Sequence, residues 1–270
     1  MFSVNIKKIL LVILASYLAS CSIPKTDFEQ DQNTLLTIDK GSIIGSNNGN
    51  TYQWLGIQYG SIPDSSYRWK RGAETEKWDG VYEALEFGNT CVQKGSLINT
   101  TKRRNWGDIV GSEDCLYLNI WAPKDVFDDL SQSKPVMVWI HGGSNVSGNA
   151  DFYDPSELVS SQDVIVVSIN YRLGPFGWFR HPDITSTAQN PEDQSGNYGN
   201  IDSIQALEWV QRNIEFFGGD SSNVTIFGES AGGYNVAAYC PQSKRMDFFI
   251  KQSYKVVESD QAILSILSHI

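Results

Sequence analysis

The segment Val224–Gly233, which reads VTIFGESAGG, constrains the fold of this chain more than any other part of it. Val224–Phe227 is typical of a short buried strand, and the residues GESAG that follow fit the pattern G-x-S-x-G. In that pattern small residues permit a sharp turn from strand to helix, and a side chain at Gly228 or Gly232 would crowd the turn. A serine at a glycine-rich helix start also arises by chance. The preceding apolar strand favours the turn, which makes Ser230 a candidate nucleophile.

Composition limits the classes of function. The 270 residues, of which 41% are hydrophobic, can bury one sizeable α/β core. The net charge of −10 argues against binding to nucleic acid or to an anionic membrane surface. We therefore expect one globular domain without a nucleic-acid partner.

The N-terminus is predicted to direct export. Residues 1–20 carry two lysines and then the apolar run Ile9–Ala15, which is too short to span a membrane comfortably and is typical of a signal peptide. The segment ends in LASC, which resembles the bacterial lipoprotein box and predicts cleavage before Cys21 and acylation of that cysteine. The alternative is an ordinary signal peptide with a coincidental cysteine. Ser22 indicates the outer membrane by the same resemblance, and the polar residues 21–33 are typical of a tether.

Three short segments after this tether are predicted strands: Thr34–Asp39, Ser42–Ser46 and Thr51–Tyr59. Asn47–Asn50, between the last two, contains the Asn-Gly signal of a tight hairpin. We therefore expect an antiparallel entry to a sheet.

A parallel α/β pattern follows. The apolar runs Leu116–Ala122, Pro135–Ile140 and Val164–Asn170 are continuous, as in strands that are covered on both faces. Ile201–Phe217 repeats apolar residues at helical spacing and stops at Gly218. Strand, helix, strand and serine turn in this order predict an α/β domain with largely parallel central strands.

The predicted export of the chain determines how its cysteines are interpreted. Cys91 and Cys115 lie in a chain that is predicted to leave the cytoplasm, so a disulfide between them is the natural expectation. Cys240 is then the odd thiol and is most simply a buried core residue.

A second glycine-rich segment is predicted to supply the hydrogen-bond donors that a serine mechanism needs. Acyl transfer needs N–H donors aimed at the oxyanion, a base for the hydroxyl proton, and an acid that orients the base. His141–Ser144 (HGGS) follows an apolar strand, where an HGGG-type loop supplies backbone N–H groups, and Ala231 supplies another. The alternative is a plain Gly-Gly turn after a strand.

Several motifs together resemble the type B carboxylesterase and cholinesterase-like family of the α/β-hydrolase fold. The resemblance runs from about Thr34 to Lys244 and leaves 245–270 as a divergent tail. The matching segments are Leu55–Ile57 (LGI), Tyr67–Trp69 (YRW), Glu113–Asn119 (EDCLYLN), Asn170–Pro175 (NYRLGP) and Phe227–Gly233 (FGESAGG).

The resemblance implies a mixed, mostly parallel central sheet flanked by helices, and hydrolysis of a small carboxylic ester through an acyl-enzyme. It implies no cofactor and no metal. It assigns the nucleophile to Ser230, the oxyanion hole to Gly143, Ser144 and Ala231, the elbow to Gly228, Glu229 and Gly232, and a disulfide to Cys91 and Cys115.

The chain departs from the family pattern in its oxyanion loop. The family usually has a third glycine and then an aromatic residue, where this chain has Ser144 and Asn145. A more polar entrance and a stiffer loop are expected. The Ser144 N–H remains usable as a donor only if the backbone angle φ stays tolerable for a residue with a side chain.

The base and acid of the triad are not identified. In this fold they follow the serine in chain order, on loops after later strands. The family pattern dissolves after Lys244, so the resemblance implies that this chain matches the N-terminal half of a longer protein, with the C-terminal portion truncated. His141, His181 and His269 are interpreted as structural or surface residues.

Three functions remain open. The first is a lipid-anchored serine carboxylesterase of the bacterial envelope. The second is a truncated, inactive remnant, because half a doubly wound sheet exposes an apolar edge. The third is a non-catalytic surface binding protein of cholinesterase-like type, against which the intact GESAGG and HGG segments argue, since binding has no need of a strained turn.

The lipoprotein hypothesis predicts that Cys21→Ser moves the protein out of the membrane fraction of disrupted cells, because several acyl chains at about 0.8 kcal/mol per buried CH₂ form the anchor. Fractionation and immunoblotting measure this. An unchanged membrane fraction for the variant contradicts lipidation.

Overall fold

The structure, a computed structural model, describes residues 28–96, 107–129, 131–239 and 256–257. The predicted signal peptide lies outside these residues, as do Cys21, Cys240 and His269. No helix within the described ranges has the length and apolar character needed to cross a membrane.

The strands are short at the N-terminal end and longer in the centre of the domain. In chain order they are β1 (Leu36–Thr37), β2 (Ser42–Ile44), β3 (Ser46–Asn47), β4 (Thr51–Gln58), β5 (Val81–Glu83), β6 (Gln93–Lys94), β7 (Ile109–Val110), β8 (Tyr117–Pro123), β9 (Lys134–Ile140), β10 (Ile165–Ile169), β11 (Gly219–Gly228) and β12 (Val256–Val257). Within the described residues, β12-β11-β9-β10-β8-β4-β3 form the central sheet, β1-β2-β5 a second sheet, and β6-β7 a ribbon.

The central sheet is mixed, as predicted. Strands β9, β10 and β11 are parallel, and β12 adds a parallel pairing at Ile226 and Phe227. The sheet contains more antiparallel strand pairs than the apolar runs predict, because β8 runs opposite to both β4 and β10. A continuous apolar run reports that both faces are covered, and it carries no information on strand direction.

The predicted hairpin is confirmed. Strands β3 and β4 pair antiparallel with Asn47 opposite Tyr52, and the Asn48 side chain accepts the N–H groups of Asn50 at 3.1 Å and Thr51 at 2.9 Å. Strand β2 was expected in the same hairpin but pairs with β1 and β5 instead. Thr34 lies in a 3₁₀ turn and not in a strand, because its hydroxyl and amide turn back onto the Asp31 carbonyl.

The longest described helix coincides with the predicted apolar periodicity. The helices are α1 (Ser156–Gln162), α2 (Gly174–Gly177), α3 (Pro182–Thr187), α4 (Pro191–Ser195), α5 (Tyr198–Asn213) and α6 (Ala231–Tyr239), with 3₁₀ turns at Gln32–Thr34, Ser65–Tyr67 and Ile214–Phe217. Helix α5 continues into the last of these turns and ends at Gly218, whose φ of 80° is the left-handed conformation of a helix C-terminus.

Hydrophobic side chains cover both faces of the central sheet. Neighbouring residues of β4 separate onto the two faces: Trp54 packs in the larger cluster with Trp209 and Phe217, and Leu55 packs in the smaller one with Trp121. Their burial, at 2% exposure or less, makes these aromatic residues the largest apolar contribution to the core.

The start of the domain lies inside the predicted tether. Within residues 21–33, the amide of Asp31 donates to the Gly45 carbonyl at 3.1 Å, and Gln30 forms a bridge with Ser46. The Asp31 side chain also accepts the amide of Asn33 at 2.9 Å. The ordered domain therefore begins before Thr34.

Two ion pairs join segments that are distant in the chain. Arg172 is 3% exposed, and its guanidinium donates to both carboxylate oxygens of the fully buried Asp202 at 2.7 Å. Arg68 donates through Nε to Glu113 at 2.8 Å, and a second hydrogen bond completes a bidentate pair. These contacts fix the loop after β10 onto α5, and the YRW segment onto the segment before β8.

The predicted disulfide between Cys91 and Cys115 is confirmed. Both half-cystines are buried, at 2% and 0% exposure. The bond closes a loop over a sequence separation of 24 and ties the segment before β6 to the segment before β8.

We expect the double substitution Cys91→Ser and Cys115→Ser to lower the free energy of unfolding by about 3 kcal/mol, because the unfolded chain regains the entropy of an open loop. Denaturant titration of the oxidised wild type and the variant measures the difference. Equal midpoints at equal slope would contradict a stabilising role.

Candidate active site

The serine turn connects β11 to α6. Ser230 has φ of 56°, a left-handed conformation that is uncommon for a residue with a side chain. The turn is held by backbone hydrogen bonds from the Gly232 amide to the Glu229 carbonyl at 2.9 Å and from the Tyr234 amide to the Ser230 carbonyl at 3.2 Å. Ser230 is exposed at the surface of the described structure. The backbone therefore presents its side chain outward, as the sequence predicts.

The glycines of this turn are required by close packing of backbone on backbone. A Cβ at Gly232 would lie 2.0 Å from the Ile140 carbonyl oxygen, and one at Gly228 would lie 2.7 Å from the same atom. Neither position leaves room for any side chain, because the obstructing atoms belong to the main chain of Ile140 and His141 and, for Gly228, also of Gly232. The spacing of G-x-S-x-G thus follows from how closely α6 approaches β9.

The HGGS loop leaves β9 directly beside the serine turn. A Cβ at Gly142 would lie 3.1 Å from the Cβ of Ser230 and 2.7 Å from the Glu229 carbonyl oxygen. Strands β9 and β11 are parallel neighbours, so both segments emerge at the same edge of the sheet, where ligand sites of open α/β folds lie. The structure brings together the two segments that the sequence separates by nearly ninety positions.

The loop itself has an unusual backbone. Gly143, Ser144 and Asn145 have positive φ values of 100°, 57° and 59°. A Cβ at Gly143 would lie 2.0 Å from the Ser147 carbonyl oxygen, so that position needs glycine. Ser144 stays within the small left-handed region that residues with side chains can adopt, which meets the condition for its N–H to remain available.

Buried polar contacts hold the loop in place. The Tyr171 hydroxyl donates to the His141 carbonyl, and the Gly174 amide donates to the Asn145 carbonyl at 2.7 Å. At the far end of the loop, the Gln93 amide group donates to the Gly148 carbonyl at 2.9 Å and accepts the Gly148 N–H at 2.8 Å.

His141 is a structural part of the loop. Its ring is 3% exposed, stacks on Tyr171 with ring centroids 4.4 Å apart, and places Nδ1 2.8 Å from the Gly142 carbonyl oxygen, which requires Nδ1 to carry the proton. Burial lowers the pKa of His141 to about 4, although this hydrogen bond opposes the shift. His181 lies at the exposed N-terminus of α3, where its ring accepts the Asp183 amide at 3.3 Å.

Comparison with known proteins assigns the family. The family model described as "Carboxylesterase family" matches residues 32–263. The chain belongs to the carboxylesterase family. The match extends past Lys244, into the segment in which no signature is recognisable from the sequence alone.

Individual carboxylesterases agree with this assignment. The chain is 40% identical over 206 residues to para-nitrobenzyl esterase of Bacillus subtilis, covering 76% of this chain and 40% of that protein. It is 37% identical to fumonisin B1 esterase of Sphingopyxis macrogoltabida, covering 80% and 38% of the two chains. A thermophilic PNB esterase structure superimposes with a TM-score of 0.66 at 40% identity, covering 76% of this chain and 40% of the other.

The described fold is therefore the α/β-hydrolase fold of carboxylesterases. The chain spans only about two fifths of the relatives that it matches, at 40% of the Bacillus protein and 38% of the Sphingopyxis protein. Within the described residues, no group of three or more His, Cys, Asp or Glu side chains is arranged to hold a metal ion.

Three buried side chains that support the site belong to no motif that is recognisable in the sequence. Gln93, Asp202 and Asn235 are 5% exposed or less and bond to the HGGS loop or to the loop after β10. The sequence distinguishes Asn145 only as a residue that stands in place of an aromatic one. A polar residue at an otherwise buried helical position, such as Asn235 in the apolar helix α6, is the signal that could have indicated a hidden partner.

We expect folding stability to fall on acidification because of His141. Its unfolded-state pKa near 6.5 exceeds the folded value of about 4, so the unfolded chain takes up a proton first and is favoured as pH falls through this window. Between pH 7.5 and pH 5 the loss from this group is about 2 kcal/mol.

The matched variant is His141→Phe, which keeps a ring against Tyr171 but does not titrate. Urea unfolding at both pH values should give a smaller acid loss for the variant than for the wild type. Parallel pH dependence in the two proteins would contradict the buried, neutral imidazole.

Proposed function

We propose that this chain carries the nucleophile and the oxyanion hole of a serine carboxylic-ester hydrolase that acts through an acyl-enzyme on Ser230. The proposal depends on one observation: the serine turn and the HGGS loop are in contact, and both have residues other than glycine at positive φ. Gly142 packs against Ser230, and both Ser230 and the adjacent loop residue Ser144 have positive φ. Strain of this kind is concentrated at functional sites.

The chemistry follows from what these segments can supply. Ser230 Oγ adds to the carbonyl carbon of the ester, and the carbonyl oxygen becomes an oxyanion. The backbone N–H groups of Gly143, Ser144 and Ala231 are its donors, and one such donor is worth about 10² to 10³ in rate. Collapse of the tetrahedral intermediate breaks the bond to the leaving oxygen, which takes up the proton lost by Ser230 and departs as the alcohol. Water then cleaves the acyl-serine ester, which releases the acid and returns a proton to Ser230.

The proton of Ser230 needs a base that the described residues do not supply. His141 is committed to the loop by stacking and by its Nδ1 hydrogen bond, and His181 serves as the N-cap of α3. Without a base, the serine turn and the oxyanion hole would provide a rate enhancement of roughly 10³ to 10⁴ over the reaction in water. We therefore propose that full activity requires an acid and a histidine beyond these residues.

The substrate is proposed to be a small carboxylic ester with an apolar or aromatic group. Tyr234, one helical turn after Ser230, is 74% exposed, and Val146 in the loop is 56% exposed. These exposed side chains, on the helix that follows Ser230 and on the loop that begins with His141, favour contact with an apolar ester group. The names of the relatives, para-nitrobenzyl esterase and fumonisin B1 esterase, also support an ester substrate.

Location in the bacterial cell envelope, with a lipid anchor on Cys21 and attachment to the outer membrane, is part of the proposal. It is supported by the LASC segment and by the Cys91–Cys115 disulfide, because disulfides persist in oxidising compartments.

We expect the purified 270-residue chain to hydrolyse p-nitrophenyl acetate at least roughly 10²-fold more slowly than a chain extended with the C-terminal part of a full-length relative, because the extension supplies the base. Release of nitrophenolate gives the rates, and intact-mass spectrometry detects the acyl adduct. Ser230→Ala should abolish both activity and adduct in the extended chain.

The matched control is Ser160→Ala, which removes an exposed serine hydroxyl on α1, outside the site. It should retain activity. An active Ser230→Ala protein would end the proposal, whereas rapid Ser230-dependent turnover by the 270-residue chain would make His269 or His181 the base to test.

A further inference from the structure

Gly143, Ser144 and Asn145 all have positive φ, and the conformational freedom of glycine explains this only for Gly143. Only the first of these residues is free of the steric penalty that a Cβ incurs at positive φ. Asparagine adopts this conformation more readily than serine, so Ser144 in particular needs contacts that hold its backbone in place.

The shortest side-chain contact of Asn145 is with a second amide side chain, and the Tyr171 hydroxyl also lies 3.5 Å from Asn145 Oδ1. Asn235 Nδ2 donates to Asn145 Oδ1 at 2.9 Å, and Asn145 Nδ2 donates to Asn235 Oδ1 at 3.3 Å. The two side chains thus satisfy each other in both directions. Asn235 is 5% exposed, so water cannot readily replace either hydrogen bond.

The position of the pair matters because it spans the site. Asn145 follows Ser144 directly, and Asn235 lies in α6, five positions after Ser230. The pair therefore connects the loop that carries the Ser144 N–H to the helix that begins with the Ala231 N–H. On the other side of Asn145, the Gly174 amide holds the carbonyl of the same residue at 2.7 Å.

We infer that Asn145 and Asn235 are positioning residues, which fix the Ser144 N–H relative to Ser230 by clamping the loop to α6. The assignment to catalysis rests on the proposed function, whereas the clamp itself does not. Both hydrogen bonds of the clamp join the same two side chains, so removing either side chain breaks both of them. Glycine at position 144 would lessen the need for it.

The test measures acylation of Ser230 in the 270-residue chain by p-nitrophenyl acetate, followed by intact mass, in Asn145→Ala, Asn235→Ala and the double variant. We expect each single variant to lower the maximal acylation rate by about 10- to 100-fold with little change in the half-saturating ester concentration, because only the transition-state oxyanion uses the displaced donor. The double variant should be no slower than the slower single variant.

A rescue variant separates positioning from general damage. Ser144→Gly added to Asn235→Ala should recover most of the lost rate. Asn213→Ala is the matched control, because Asn213 is a fully buried asparagine at the end of α5 that bonds to Trp209 and Asp39. Its acylation rate should be unchanged. Additive losses in the double variant, or no rescue by glycine, overturn the inference.

Hydrogen exchange tests the clamp without any reaction. The amides of Val146 and Ser147 both donate to the Gly143 carbonyl at 3.1 Å, so opening of the loop exposes them. We expect at least about 10-fold faster exchange in Asn145→Ala and Asn235→Ala, and wild-type exchange in Asn213→Ala.

This second readout keeps the two proposals distinguishable. If neither the wild-type 270-residue chain nor the extended chain forms an acyl adduct, the proposed function is wrong. Hydrogen exchange then remains as the test of the clamp. Unchanged exchange in both alanine variants overturns the inference in either case. Asn145 is only half-buried, so its variant remains informative if Asn235→Ala fails to fold.

Discussion

The parallel pairing of β9 with β11 is the constraint on which the rest of the structure depends. In this register Gly228 lies opposite Ile140, and the Ile140 carbonyl fills the space that a Cβ of Gly232 would need. The HGGS loop and the serine turn therefore leave the sheet side by side, and their separation is set by main-chain atoms. A slip of one residue would turn the side chains of β11 to the opposite face and separate the two segments.

Elements with a local physical signature could be predicted from the sequence. The hairpin at Asn47–Asn50 and the chain after α5 depend on glycines at positive φ, Gly49 and Gly218. The serine turn depends on glycines that leave no space for a Cβ. The direction of β8 could not be predicted, because burial on both faces produces the same apolar run in either orientation. The membership of β2 in a separate sheet depends on distant partners, which local patterns do not report.

The polar contacts behind the site are also invisible to local patterns. Asp202 lies on α5 among residues of helical periodicity, yet it is fully buried against Arg172, whose guanidinium also donates to the Lys70 carbonyl at 2.7 Å. Gln93 similarly reaches Gly148 across 55 positions. Such side chains are typical of surfaces, and only the tertiary structure provides the partner that makes burying them tolerable. The family signatures can be read from the sequence, whereas the buried polar contacts that support them appear only in the folded chain.

The backbone contacts of the serine turn determine how sequences with this fold can diverge. At Gly228 and Gly232 any side chain would overlap the main chain of β9, so packing retains these glycines whether or not the serine reacts. Ser230 is different, because its side chain points into solvent and its φ of 56° suits glycine or asparagine at least as well. In a descendant that had abandoned chemistry, the flanking glycines would persist while the central residue drifted. Packing against β9 therefore constrains the two glycines, whereas the backbone geometry of the turn does not by itself require serine at position 230.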